Sequence, residues 1–294
     1  MKYHLTSLLW ILFLSSACTD HRDESAQIPE NGAQIEVSIT LPATTSRTEL
    51  EPDGITTRWS SGDQIALWAT NGSATPLIAA PFTLWHFEAT YPTALFTATI
   101  DPMPAGNYTY AAVYPLPATH NGTIVNYDLP AQQAGSADGR YAVMVARPIT
   151  GSALEAGRNP DFGLHFIHKL HILKITIPAQ KNLLGAPVTR LTMTFPAPVA
   201  GKITFDVADN TSAPVLSESS NTLTLNFSTP VDAGSTFWAV IAPANMTGGK
   251  ITFKAYSDTT ESEPVTMEGK NFQAAHTTPI QLTIPKAQTA VAQH

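Results

Sequence analysis

From Ile35 almost to the C-terminus the chain consists of short apolar–polar runs, interrupted by turn signals roughly every 8–15 residues. The clearest run is residues 35–41, IEVSITL. Ile35, Val37, Ile39 and Leu41 alternate with Glu36, Ser38 and Thr40, the period of a half-buried strand, and Pro42 ends it. Further strand-like runs fall at 65–69, 95–100, 108–114, 123–129, 141–146, 188–195, 202–207, 222–227, 236–242, 250–256, 264–267 and 279–284. Asp-Gly and Asn-Gly pairs at 53–54, 121–122 and 138–139 punctuate them. No long stretch has helical period with caps, and 23 prolines suit loop ends and edge strands better than helices. The expectation is an all-β protein with the turn spacing of β-sandwiches. A break at 178–187, PAQKNLLGAP, divides the folded part into sandwiches at 34–178 and 179–286, each of ordinary domain size, with a short tail at 287–294.

Apolar residues make up 43% of the 294, enough for a core, whereas charged residues are only 13% against about 25% in typical soluble domains. Thr, Ser, Asn and Gln must supply much of the surface, as in many extracellular β proteins. A net charge of −7 and the lack of any Lys/Arg run argue against a nucleic-acid partner.

Residues 5–14, LTSLLWILFL, form an apolar stretch of signal-peptide length, too short to span a bilayer as a helix. Ser15, Ser16 and Ala17 then precede Cys18, an arrangement that resembles a bacterial lipobox, although leucine stands four residues before the cysteine rather than three. On this reading 1–17 is a lipoprotein signal peptide, and acyl chains on Cys18 hold the protein to the outer membrane, each buried CH₂ contributing about 0.8 kcal/mol. The alternative is an ordinary secretory signal with a stray cysteine. Cys18 is the only cysteine, so no disulfide can form within the chain. Residues 18–33 are polar and partly acidic and read as a flexible tether.

Residues 162–177, FGLHFIHKLHILKITI, carry His165, His168 and His171 at metal-like spacing. Ile167, Ile172, Ile175, Thr176 and Ile177 favour a single strand. A strand puts His165 and His171 on one face and His168 on the other, so three ligands cannot converge. No nucleophile-elbow pattern, phosphate loop or paired-metal spacing occurs, so no enzymatic activity, catalytic residue, metal or cofactor is expected. Trp85-His86-Phe87, in a stretch read as a loop at 81–92, could bind glycans or host proteins, as could Trp59 and Trp68. The competing reading of all three tryptophans is core or edge packing.

Five segments in order resemble the fimbrillin family of Bacteroidales-type fimbriae. They are Arg47-Thr48 with Trp59, Gly62, Asp63, Ile65 and Leu67 ("RT…W..GD.I.L"); Tyr110, Ala112, Tyr114 and Pro115 ("Y.A.YP"); Leu129, Pro130 and Gln133 with Met144-Val145-Ala146 ("LP..Q…MVA"); Leu164, Phe166 and His168 ("L.F.H"); and Gly269-Lys270 with Phe272, Ile280 and Leu282, like the closing "GK.Y…I.L". The resemblance covers about 33–286. It implies two tandem transthyretin-like β-sandwiches and a role as a subunit of a surface fimbria or a related outer-membrane adhesin. The acidic stretch after Cys18 resembles the surface-export signal of lipoproteins of the Bacteroides group, the alternative being a plain tether.

The resemblance further implies assembly by strand exchange. An arginine-specific protease removes the N-terminal segment, and other fimbrial subunits add a strand to the vacated groove. Ile35, Val37, Ile39 and Leu41 mark the removable strand; burying four such side chains gives an upper bound of about 6–12 kcal/mol. Arg47 is the expected cleavage point and Thr48 the new N-terminus; the alternative is that Arg47 is an ordinary loop residue. The residues after Pro285, KAQTAVAQH, lack the alternation of a donor strand. Either residues 280–284 donate, or the subunit is a tip, accessory or non-polymerising one.

Overall fold

A computed structural model describes residues 35–42, 49–50, 57–59, 61–73, 75–87, 93–136, 141–158 and 160–288. In chain order the strands are β1 (Ile35–Pro42), β2 (Glu49–Leu50), β3 (Thr57–Arg58), β4 (Gln64–Thr70), β5 (Ile78–Phe87), β6 (Thr93–Ile100), β7 (Asn107–Tyr114), β8 (Thr119–Asn121), β9 (Ile124–Leu129), β10 (Gln132–Gln133), β11 (Met144–Ala146) and β12 (Ile149–Ser152). They continue as β13 (Phe166–His168), β14 (His171–Thr176), β15 (Val188–Thr194), β16 (Ala200–Asp206), β17 (Val215–Ser220), β18 (Thr222–Val231), β19 (Thr236–Ile241), β20 (Ala244–Asn245), β21 (Lys250–Tyr256), β22 (Val265–Glu268), β23 (Asn271–Phe272) and β24 (Thr277–Gln281). The described residues are all-β, as the alternation predicts.

One sheet of eight strands runs β1-β6-β5-β4-β7-β11-β13, with β12 also beside β7. It curls round a core that takes Ile65 and Leu67 of β4, Phe82 of β5, Phe96 of β6, Tyr110 of β7 and Met144 of β11. The Trp59 ring makes the curl visible: it meets Phe96 at 4.9 Å, Tyr114 at 5.3 Å and Phe166 of β13 at 6.2 Å, all edge-on. One indole therefore touches strands near both ends of the sheet.

The central strands β4 and β7 are buried on both faces. Alternate residues Ala66, Trp68, Ala111 and Val113 turn away from the first core and into a second cluster with Val125 and Tyr127 of β9 and Ile203 and Phe205 of β16. That covering layer is the sheet β17-β16-β9-β8, in which β9 pairs antiparallel with β16 from Leu129↔Gly201 to Ile124↔Asp206. Strands from both sides of residue 178 thus share a sheet. A third core fills the space between the sheets β10-β18-β15-β21-β22 and β19-β14-β24, with Leu191, Leu225 and Phe253 facing Leu173, Ile175 and Phe237. All these strands lie in one compact unit, Gln34–His294.

Two expectations change. The stretch 81–92 is not a loop throughout: β5 extends to Phe87. Pro81 lies where β5 pairs with β4, and the β5–β6 register begins only at Thr83, so the missing N–H falls where one side of the strand lacks a ladder partner. The histidine stretch is two strands, not one. β13 ends the first sheet, the chain breaks at Lys169-Leu170, and β14 continues as the middle strand of another sheet.

Candidate functional site: an edge strand over a closed core

Among the described residues, the strand formed by Ile35, Val37, Ile39 and Leu41 lies at an edge and pairs with β6 alone. Its antiparallel register aligns those four residues with Ile100, Ala98, Phe96 and Ala94. Phe96 is fully buried, Ala94 and Ile100 nearly so, and Ala98 packs against the same core. The register therefore places the apolar positions of β1 in line with the core-facing row of β6. An edge strand has one ladder to break, so it can leave without dismantling the sheet interior.

The signature residues of the sequence hold this region together. Trp59 is the hub described above. Gly62 adopts φ +89°, which a turn into β4 requires and other residues resist. The Tyr114 hydroxyl donates to Asp63 Oδ1 at 3.0 Å, and the Asp63 carbonyl accepts the Leu84 N–H at 2.9 Å. Gln133 is buried and spans the chain: its Nε2 donates to Val240 O at 2.8 Å and its Oε1 accepts Val240 N–H at 2.9 Å. One amide side chain thus replaces a missing strand partner for β19, and sequence reading missed that role. Its place three residues after Pro130 in the Leu129-Pro130 motif was its only signal. At Gly269, any Cβ would collide with the Met246 carbonyl oxygen.

Cys18, Arg47 and Thr48 lie outside the described residues. The C-terminal run pairs parallel with β14, from Ile172↔Thr277 to Thr176↔Gln281, and buries Ile280, Leu282 and Ile284 in the third core. It is integral to its own chain.

The three histidines are dispersed. His171 is buried; its Nδ1–H donates to Gln273 O at 2.7 Å and its Nε2 accepts from the Thr278 hydroxyl at 2.9 Å. Burial lowers its pKa, and the Gln273 bond partly opposes this. Burial lowers His168 to about 4, and its Nε2 has no hydrogen-bond partner among the described residues. Both rings are neutral at pH 7. Lys169 between them is buried, with Nζ donating to Asn210 O and Ser212 O, each at 2.8 Å. Desolvation lowers its pKa, while Asp209 pulls the other way. Lys169 thereby pins the loop after β16 to the chain between β13 and β14. A cleft of about 410 Å³ lies beside it, walled largely by apolar groups of Ile167, Pro214, Pro243 and Phe272, with the amides of Asn245, Asn271 and Gln273 among them. Among the described residues no three His, Cys, Asp or Glu side chains cluster as metal ligands. Of the tryptophans, Trp59 and Trp68 are core residues, whereas Trp85 is exposed.

Solved structures of low sequence identity share the fold. A candidate cell adhesion protein from Bacteroides uniformis is 18% identical, with a TM-score of 0.57 over 88% of this chain and 97% of its own. Counterparts from Bacteroides ovatus (15% identity, TM-score 0.52, 89% and 99% covered) and Bacteroides fragilis (12%, 0.51, 87% and 95%) are similar to it in the same way. No match is found among curated protein sequences. The fimbrillin-like family, in contrast, matches residues 44–293, which takes in all five motifs whole. The chain therefore belongs to the fimbrillin-like family, whose members are fimbrial and adhesion structural proteins rather than enzymes.

Proposed function

We propose that the protein is a structural and adhesive subunit of a cell-surface fimbria, exported as a lipoprotein acylated on Cys18 and displayed on the outer membrane. Its folded part is read as two transthyretin-like sandwiches, 34–178 and 179–286, stitched together by the β9–β16 ladder and by Gln133. Assembly proceeds by strand exchange: a protease cuts after Arg47, β1 leaves, and a strand from another subunit pairs with β6.

One observation carries this reading: among the described residues β1 is an edge strand with a single partner, in register with the buried row of β6, and an arginine follows within a few residues. The buried place of β24 favours a particular position in the fimbria. Giving up β24 would expose Ile280 and Leu282, so the subunit accepts a strand rather than donating this one. That suits a tip, accessory or membrane-anchored adhesive role. The test is the N-terminus of the surface-associated protein, read by mass spectrometry. A chain starting at Thr48 is expected in assembled material. If assembled material retains lipidated Cys18 and β1 throughout, cleavage-driven exchange is wrong, and an anchored adhesin remains.

A further inference from the structure

Lys169 is a buried cation, 3% exposed, with no ion-pair partner among the described residues. Its Nζ donates to Asn210 O and Ser212 O, each at 2.8 Å, and a lysine ammonium has a third N–H to give. Asp209 acts on that charge without forming an ion pair with it. The Asp209 Oδ1 accepts instead from the Thr211 N–H at 3.0 Å and the Thr211 hydroxyl at 2.6 Å. Two carbonyls solvate an ammonium but do not neutralise it, and buried charges are normally matched by opposite ones.

The same lysine lines the cleft of about 410 Å³, a size within the roughly 300–1,000 Å³ of small-ligand sites. Ile167, Pro214, Pro243 and Phe272 make its walls largely apolar. The ionisable side chains that line it are both bases, Lys169 and His168, and no Asp or Glu is among them, in a chain of net charge −7. Burial keeps His168 neutral at pH 7, so Lys169 is the charged group of the lining. Asn271 and Gln273 are exposed at the cleft, and their side-chain amides have no hydrogen-bond partner among the described residues. Such an amide donates and accepts as a peptide group does, and so can pair with one.

We propose that this cleft captures the free C-terminus of a partner polypeptide ending in an apolar residue. The terminal carboxylate pairs with Lys169, the last side chain lies against the apolar walls, and Asn271 and Gln273 bond the preceding peptide groups. A neutral apolar ligand would leave the Lys169 charge unmatched, and a polyanion would meet one cation only. An acidic sugar supplies the charge, but its hydroxyl-rich body is a poor match for walls of proline, isoleucine and phenylalanine. The inference rests on the subunit reading, which supplies partner polypeptides, and is independent of strand exchange.

The test uses the full chain and fluorescein-labelled hexapeptides of one neutral sequence ending in leucine, phenylalanine or serine. Each is made as the free acid and as the C-terminal amide, and binding is read by fluorescence anisotropy. The acids with apolar ends should bind. Amidation removes the charge and should weaken binding roughly tenfold or more. Gln273→Glu keeps the side-chain size and sets a like charge in the cleft, so it should weaken the acids more than the amides. Lys169→Met should abolish the preference for acid over amide. Because Lys169 also pins the loop after β16, the unfolding midpoint of Lys169→Met is measured alongside; should it unfold, Gln273→Glu, at an exposed position, decides the question. The inference is overturned if no free acid binds, if acids and amides bind alike, or if neither Gln273→Glu nor a folded Lys169→Met alters the preference. Binding of sialic or glucuronic acid without binding of any peptide acid would also overturn it, in favour of an acidic glycan. Peptide-acid binding by a chain whose β1 is never exchanged would sink strand exchange and leave this site standing.

Discussion

Trp59→Ala is expected to lower the unfolding midpoint by on the order of 10 °C. Removing a buried tryptophan costs about 3–5 kcal/mol, and each kcal/mol moves the midpoint of a domain of this size by about 2–4 °C. The position makes the upper part of that range the expected one. Trp59 meets Phe96, Tyr114 and Phe166, which sit on strands spread across the curled sheet, so the cavity cannot collapse from one side alone. The loss should also be local to the assembly edge. Amides of β6 should exchange faster than those of β15 and β21, whose core is separate. Trp59→Phe should recover part of the loss. Calorimetry with hydrogen exchange reads both effects; an unchanged midpoint would remove Trp59 as the hub.

Gln133→Ala is the second large effect. Gln133 has no apolar counterpart to its task, because it satisfies both backbone groups of Val240. Truncation strands a buried N–H and a buried C=O, at about 1–3 kcal/mol each. Gln133→Glu should be worse than a simple loss, since it keeps the acceptor but sets a carboxylate against the Val240 carbonyl. The two bonds join β10 to β19, elements on opposite sides of residue 178. A single cooperative transition in the wild type should therefore broaden or split in the variant. A variant with wild-type stability and one sharp transition would mean that water replaces the amide without cost.

The alternation of 188–194 and 250–256 was legible because each strand has one face on a core and one face more open, and 35–41 carries the same period. The strand at 78–87 was not, because Pro81 reads as a breaker and only the pairing shows that its missing N–H is harmless. Nor was the division of 162–177, since β-branched residues favour strand on both sides of Lys169 and nothing local says that the chain changes sheets there. That break depends on Asn210 and Ser212 carbonyls some 40 residues away, a tertiary effect. For the candidate site, the strand at 35–42 was readable from its period, whereas the role of Gln133 was hidden. A glutamine serving as a strand surrogate looks like any polar loop residue until its partner is known.

The most direct test of strand exchange is a disulfide across the exchanging pair. Ser38 and Thr97 are register partners in β1 and β6, and antiparallel partners lie at Cα separations of about 4.5–5.5 Å, within disulfide reach. The double variant Ser38→Cys/Thr97→Cys, expressed in the native cell, should assemble into detergent-resistant multimers when reduced. When oxidised it should accumulate as a closed monomer that keeps β1 even after cleavage at Arg47. Multimers that form equally well with the disulfide closed would contradict the account, because the place on β6 would then not be where subunits join.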